Sequence, residues 1–342
     1  EMAGETSSSQ KDNYRYVYFT FLFLGVAILL PWNSLIMALD FFIIQLPNHD
    51  VDFVVSILSN GPVFVANVAM LILHKYFPPI KTIAVCLVLM TIMCISLPII
   101  PEYVNHEDAR WSLVFANIIV LSFVNGVMQS CCYGLAGPFP ERYIAVLNTG
   151  SALSGFIISI ARAGSLLIFP TDDVQGSRNL FYGAVMYFTI GGITLLFSLM
   201  MLLFLPRSNF FQEYNKGASQ SSNDNGIQND YTSTSSELEE DMMSEGQDSN
   251  TLRQLIRVHN SLLIPGYGIV IVYIQTFLVF PAVMLHGGID FIDSISWEVW
   301  FVISIFDFTD TISRYLSERY ALLNSNTAAI VTVFRTALIG VC

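Results

Sequence analysis

Nine long apolar segments run through this chain, and they limit what it can fold into more than any other feature. Each is long enough for an α-helix to cross the hydrocarbon of a bilayer, which takes about 20 residues. Only 12% of the residues are charged, whereas a soluble domain has about a quarter. The sequence therefore predicts an all-α polytopic membrane protein with spans at 16–46, 53–74, 81–100, 110–136, 143–169, 179–205, 258–285, 294–320 and 324–342.

A polar stretch after the sixth span divides the chain. Residues 208–251 are rich in Ser, Asn, Asp and Glu, as in "SQSSNDNG" and "STSSELEEDMMSE", and cannot bury enough apolar surface to fold. We predict a cytoplasmic N-terminal tail (1–14), an N-terminal six-helix bundle (15–206), a disordered acidic cytoplasmic loop (207–256) and the first three helices of a truncated C-terminal bundle (257–342). Thr234 and Ser236 each precede a Glu by three residues, so the loop is either a kinase substrate or an unmodified tether.

The distribution of Lys and Arg sets the orientation. If the N-terminus is cytoplasmic, ten of the 15 basic residues fall on the cytoplasmic side and only Arg110 and Arg178 fall outside. Basic residues accumulate in cytoplasmic loops. We therefore expect a multi-pass protein with a cytoplasmic N-terminus.

Motifs for catalysis or metal binding are absent from the sequence. It contains no P-loop, no HExxH, no GxSxG and no His-rich ligand spacing. We expect no enzyme activity, no cofactor and no metal. The expected partners are a small-molecule substrate and the lipid bilayer, with no nucleic acid.

Charged residues inside the eighth predicted span are the strongest indication of function. Asp307, Asp310 and Arg314 lie in "FDFTDTISRYL", and each charge at a helix centre costs roughly 2.5–3.5 kcal/mol in hydrocarbon. Asp310 and Arg314 are spaced i, i+4 and can pair. Either Arg162 or Arg335 can balance the remaining charge. The group is interpreted either as a clamp between helices or as a substrate or proton site facing a wet cavity.

Uncharged polar residues offer weaker signals. In "LLPWN", Pro31 can kink the first span, and Asn33 is predicted to hydrogen-bond a neighbouring helix. Trp32 lies mid-span, either as core packing or as a platform for a flat ring. Gln129 is a mid-span amide that can hold a base or sugar edge, or only a neighbouring helix.

Several motifs together resemble the equilibrative nucleoside transporter family. The first-span "LLPWN" is similar to that family's first-helix motif, and "DTISR" to its eighth-helix Asp–Arg signature. The matching segments occur in the family's order: Leu29–Asn33, Gln129, Gly134–Gly137, Phe139–Pro140, Tyr143, Ser154–Gly155, Arg162, Phe280–Pro281 and Asp310–Arg314.

The resemblance implies a fold and a site. The implied fold is a major-facilitator-like two-bundle transporter with nine helices present of an expected eleven, located in the plasma membrane. It also implies that Trp32 packs near the nucleobase with Leu29 as an apolar wall. Gln129 would contact the base, and Asp310 and Arg314 the ribose.

The resulting functional hypothesis is transport of nucleosides, and of nucleobases as an extension, by facilitated diffusion through alternating access. Gating or charge balance is assigned to Asp307, Arg162, Arg335 and Asn33. Three alternatives stay open: a proton-coupled nucleoside symporter, suggested by the unmatched Asp307, a transporter of the same fold for another solute, and a non-transporting receptor or scaffold.

Overall fold

The computed structural model describes residues 15–46, 51–171, 176–212 and 294–320, together with isolated positions at 271–272, 275–276, 292 and between 327 and 334. Contacts divide the chain into two compact units. The first is Glu1–Lys216 with Met284–Arg319, and the second is Gly217–Val283 with Tyr320–Cys342. The helices described below all belong to the first unit.

The described part of the first unit is built from eight main α-helices. Two short 3₁₀ turns follow α3 and α7, at His74–Tyr76 and Leu205–Arg207. The helices are α1 (Tyr16–Met37), α2 (Leu39–Gln45), α3 (Val51–Leu73), α4 (Pro79–Tyr103), α5 (Glu107–Ala136), α6 (Glu141–Ile168), α7 (Gly176–Phe204) and α8 (Ile295–Arg319).

Seven of the nine predicted spans correspond to these helices. Within the described residues, six helices are long and apolar enough to cross a membrane, which agrees with the predicted all-α polytopic protein. The charged α8 is not among those six. The predicted spans 258–285 and 324–342, and the predicted loop beyond residue 212, lie almost entirely outside the described residues.

The first predicted span is two helices and not one. Helix α1 contains Pro31 and continues through it to Met37. The interruption comes at Ala38, whose N–H bonds to the carbonyl of Leu35 at 3.1 Å in a tight turn. The short helix α2 then begins, and Asp40 in its first turn is fully buried.

Glycines bring α1 and α6 into backbone contact. A Cβ added to Gly25 would lie 2.1 Å from the carbonyl oxygen of Leu147, and one added to Gly150 would lie 2.1 Å from that of Leu22. Small residues allow such close approach in membrane helices, where close packing drives association. The pair forms the centre of the first unit, since α6 also contacts α5, α7 and α8. Accordingly, 72% of the most apolar stretch of α1 is buried, whereas only 28% of the corresponding stretch of α3 is buried.

An aromatic cluster joins the α5–α6 connection to the segment after α7. The ring of Phe139 lies 5.4 Å from that of Phe21, 5.5 Å from that of Tyr143 and 5.6 Å from that of Phe211. Phe210 completes the cluster at 5.9 Å from Tyr143. The cluster therefore anchors the point from which the polar linker departs.

We predict that Gly150→Ala destabilises the protein by about 1–3 kcal/mol, because its Cβ has no room against the backbone of α1. Gly134→Ala in α5 is the control, since a Cβ there meets nothing within 4 Å. The control should be neutral or slightly stabilising, because Ala is a better helix former than Gly. Thermal unfolding in detergent measures both, and equal melting temperatures would contradict the close crossing.

Candidate functional site

The predicted pair in α8 is present and accessible. Arg314 Nε donates to Asp310 Oδ2 at 2.9 Å, and the two side chains are 33% and 32% exposed. Carboxylates accept several hydrogen bonds and a guanidinium carries five donors. A charged pair that is partly exposed can engage a polar ligand.

An accessible stripe runs along α1. Leu22, Leu29 and Trp32 are half-buried, whereas most of the helix around them, including Leu30 and Asn33, is buried. Positions spaced at i, i+7 and i+10 share one helix face. Leu29 and Trp32 therefore lie side by side on the part of α1 that its neighbours leave open.

Gln129 on α5 is half-buried and contacts α3. Its Oε1 accepts a hydrogen bond from Asn67 Nδ2 at 3.4 Å, and Asn67 Oδ1 accepts one from Ser130 Oγ at 2.6 Å. Gln129 thus makes the contact with a neighbouring helix that was one of its two predicted roles, and the residue is partly exposed.

Asp307 is packed against α6 and is only 5% exposed. Its Oδ2 accepts a hydrogen bond from Ser159 Oγ at 3.2 Å. A Cβ on Gly155 would lie 2.5 Å from its Cγ, so the carboxyl fits only because residue 155 is glycine. Among the described residues it has no basic partner, and Arg162 does not balance its charge as expected.

Further polar contacts join α6 and α8. Trp300 Nε1 donates to the carbonyl oxygen of Ser159 at 2.9 Å, and Thr311 Oγ1 donates to that of Ala152 at 3.2 Å. The two helices run antiparallel. We define the α6–α8 seam as Ala152, Gly155 and Ser159 on α6 with Trp300, Asp307 and Thr311 on α8.

Arg162 is paired with Asp40 instead. Nη2 of Arg162 bonds Oδ2 of Asp40, and the side chains are 1% and 0% exposed. The N–H of Phe41 bonds Oδ1 of Asp40 at 2.9 Å, and the guanidinium lies 5.3 Å from the ring centre of Tyr187 on α7. The pair joins α2, α6 and α7 in a sealed, low-dielectric setting where an unpaired charge is very costly.

Asn33 makes a buried bond between helices. Its Nδ2 donates to Ser154 Oγ at 2.7 Å, and that hydroxyl donates to the carbonyl oxygen of Ser151 at 2.6 Å. The arrangement holds α1 to α6 a little beyond their glycine crossing. Arg335 lies outside the described residues.

The sequence signals of two contact residues were present but not singled out. Asn67 and Ser159 are polar side chains inside apolar spans, which in membrane helices often mark interhelical contacts or sites. The sequence alone does not show which neighbouring helix each of these two side chains contacts. In the part of the chain that the structure describes, no group of three His, Cys, Asp or Glu side chains is arranged to hold a metal ion.

Comparison with known proteins places these features in a family context. The family model described as "Nucleoside transporter" matches residues 115–340, well over half of the chain. That stretch includes Gln129, the α6–α8 seam and the Asp310–Arg314 pair.

Curated relatives carry related names. Equilibrative nucleotide transporter 1 of Arabidopsis thaliana is 29% identical over 55% of this chain and 42% of its own length. Equilibrative nucleoside transporter 1 of Homo sapiens is 22% identical over 87% of this chain and 72% of its own length. Human equilibrative nucleoside transporter 4 is 29% identical over 50% of this chain and 32% of its own length. The chain thus spans about half the length of the curated relatives it matches.

We predict that Asp40→Leu or Arg162→Met alone costs about 3–5 kcal/mol, because each leaves one buried charge without its partner. The double variant should recover most of that loss, since it removes both charges. Thermal unfolding in detergent of the four proteins measures the coupling. Losses that simply add would show that the two side chains do not stabilise each other.

Proposed function

We propose a substrate, a site and a transport cycle for this chain, which belongs to the nucleoside transporter family. The family resemblance predicted from the motifs is confirmed by that match, and the family is one of transporters and not of enzymes. The proposed function is passage of nucleosides across the membrane by facilitated diffusion. The observation that carries it is the Asp310–Arg314 pair, whose side chains are about one third exposed in a helix of a membrane protein.

The proposed substrate site has two parts, one that binds the sugar and one that binds the nucleobase. A ribose offers two adjacent hydroxyls, which a carboxylate accepts from and a guanidinium donates to, so Asp310 and Arg314 bind the sugar. A nucleobase offers a flat face, which Trp32 and Leu29 cover, and polar edges, one of which Gln129 contacts. All five side chains are only partly buried, as residues lining a cavity must be.

The proposed cycle is alternating access in a major-facilitator-like fold of two bundles. In such transporters the two halves rock about a central site. Helix α6 belongs to the first half and α8 follows the linker, so the α6–α8 seam must part and reform in each cycle. Asp307 is then a gating residue, buried when the seam is closed and hydrated when it opens.

The proposed location is the plasma membrane with a cytoplasmic N-terminus, supported by the excess of Lys and Arg on that side. The loop 207–256 is then cytoplasmic and accessible to a kinase acting on Thr234 or Ser236. Its first residues are anchored by the aromatic cluster at Phe210 and Phe211. The Asp40–Arg162 pair and Asn33 hold the helices of the first bundle together.

Uptake of labelled adenosine by proteoliposomes containing the full-length protein tests the proposal. We predict that Asp310→Asn lowers kcat/KM by roughly 10–100-fold, because a hydrogen bond to a charged group contributes about 1.5–3 kcal/mol. The same variant should lose far less with 2′,3′-dideoxyadenosine, which lacks the hydroxyls. Equal losses with both substrates would remove the ribose assignment, and no nucleoside uptake by the wild type would remove the function.

A proton-coupled symporter is the second candidate, favoured by one observation. Asp307 is a buried carboxyl with a single hydroxyl donor and no basic partner among the described residues. Uptake with and without an imposed pH gradient separates the candidates. Accumulation beyond equilibrium that follows the gradient supports coupling, and simple equilibration supports facilitated diffusion.

We predict that Gly155→Ala slows maximal uptake roughly tenfold, equivalent to about 1.4 kcal/mol of barrier, because its Cβ displaces Asp307 and prevents the seam from closing. Gly164→Ala on the same helix is the matched control, since its Cβ meets only Met186 at 3.9 Å. Adding Asp307→Ala to Gly155→Ala should restore part of the closing step by removing the clash. Normal uptake by Gly155→Ala would show that the seam plays no part in transport.

A further inference from the structure

We infer that Asn67 on α3 is a positioning residue that sets which end of the Gln129 carboxamide faces the substrate. The inference rests on the proposed function, because it assumes that Gln129 contacts a nucleobase. It adds a residue from a fourth helix, α3, which none of the sequence motifs included.

The hydrogen-bond geometry assigns a direction to the amide. Ser130 Oγ donates to Asn67 Oδ1 at 2.6 Å, which leaves the Asn67 amide nitrogen for the other side. That nitrogen donates to Gln129 Oε1 at 3.4 Å. Since its oxygen is turned to α3, Gln129 presents its Nε2 donors to the open side, and in the described residues Nε2 has no protein acceptor.

Backbone packing keeps Asn67 within reach of Gln129. A Cβ on Gly126 would lie 2.7 Å from both Ala66 Cβ and the carbonyl oxygen of Val63. The two helices therefore touch within one turn of the Asn67–Gln129 contact, which keeps the backbones that carry the two side chains close together. Positioning of this kind reduces the cost of ordering a side chain on binding.

A donor-only end of Gln129 has a consequence for specificity. It pairs with carbonyl oxygens and ring nitrogens of a base and cannot accept from an exocyclic amine. A site built to hydrogen-bond its substrate binds poorly to an analogue that leaves the polar group of the site unpaired. Asn67 therefore favours bases that present an acceptor, such as uracil, over those that present an amine at the same position, such as cytosine.

A double-mutant cycle on uptake tests the coupling. We predict that Asn67→Ala raises KM for uridine about fivefold, the loss expected for one neutral hydrogen bond, with little change in kcat. In a Gln129→Ala background the same substitution should change KM no further, because Asn67 acts only through Gln129. Asn60→Ala is the matched control: it lies two turns earlier on α3, is also half-buried, and bonds the Ser56 carbonyl of its own helix at 2.8 Å.

Reversing the polarity of the contact provides a second readout. Asn67→Asp still accepts from Ser130 but has no donor for Oε1, so Gln129 must turn its amine to α3 and its oxygen to the substrate. The ratio of inhibition constants for uridine and cytidine should then shift at least several-fold towards cytidine. A merely structural role would lower the melting temperature without moving this ratio.

The results distinguish failure of the proposed role of Asn67 from failure of the proposed function. Additive losses in the cycle together with an unchanged uridine-to-cytidine ratio in Asn67→Asp would overturn the role of Asn67 while nucleoside uptake by the wild type stands. Absence of nucleoside uptake by the wild type would overturn the proposed function and this inference with it. Non-additive losses or a shifted ratio support the inference.

Discussion

The contact of α1 and α6 through Gly25 and Gly150 is the constraint on which the rest of the described structure depends. Lipid tails are as apolar as most side chains, so membrane helices associate through close packing and interhelical hydrogen bonds and not through exclusion of water. Once the two backbones touch, the rotation of α6 about its own axis is fixed. The turns of α6 that follow then contact different helices. Ser154 meets α1, Gly155 and Ser159 meet α8, and Arg162 meets α2.

Burial sorts the charged residues of the spans into three kinds. Asp40 and Arg162 are sealed and neutralise each other, which fits an internal support whose removal would cost stability. Asp310 and Arg314 are paired but partly exposed, which fits a polar ligand site. Asp307 is buried without a cation among the described residues, at the α6–α8 seam, which the proposed cycle must open. The same residue types thus serve different ends because their surroundings differ.

Much of the fold was predictable from the sequence, because hydrocarbon imposes a length and an apolarity on every span. Six predicted spans match helices to within a few residues, and the pairing of Asp310 with Arg314 followed from their spacing on one helix. The partner of Arg162 was not predictable, since periodicity identifies the face of a helix but not the helix opposite it. The turn at Ala38 was missed for a related reason: Pro31 was the visible breaker, whereas the chain bends one residue before α2, where Asp40 is directed into the core.

The buried couple between Asp40 and Arg162 has a consequence for biogenesis. Helix α2 carries the carboxylate of Asp40, and its guanidinium partner lies 122 residues later in the chain. At ribosomal speeds of about 5–20 residues per second, that interval lasts roughly 6–24 s. During it the nascent aspartate must stay hydrated or shielded by the insertion machinery. Final seating of α2 therefore waits until α6, the helix that bears Arg162, has been synthesised.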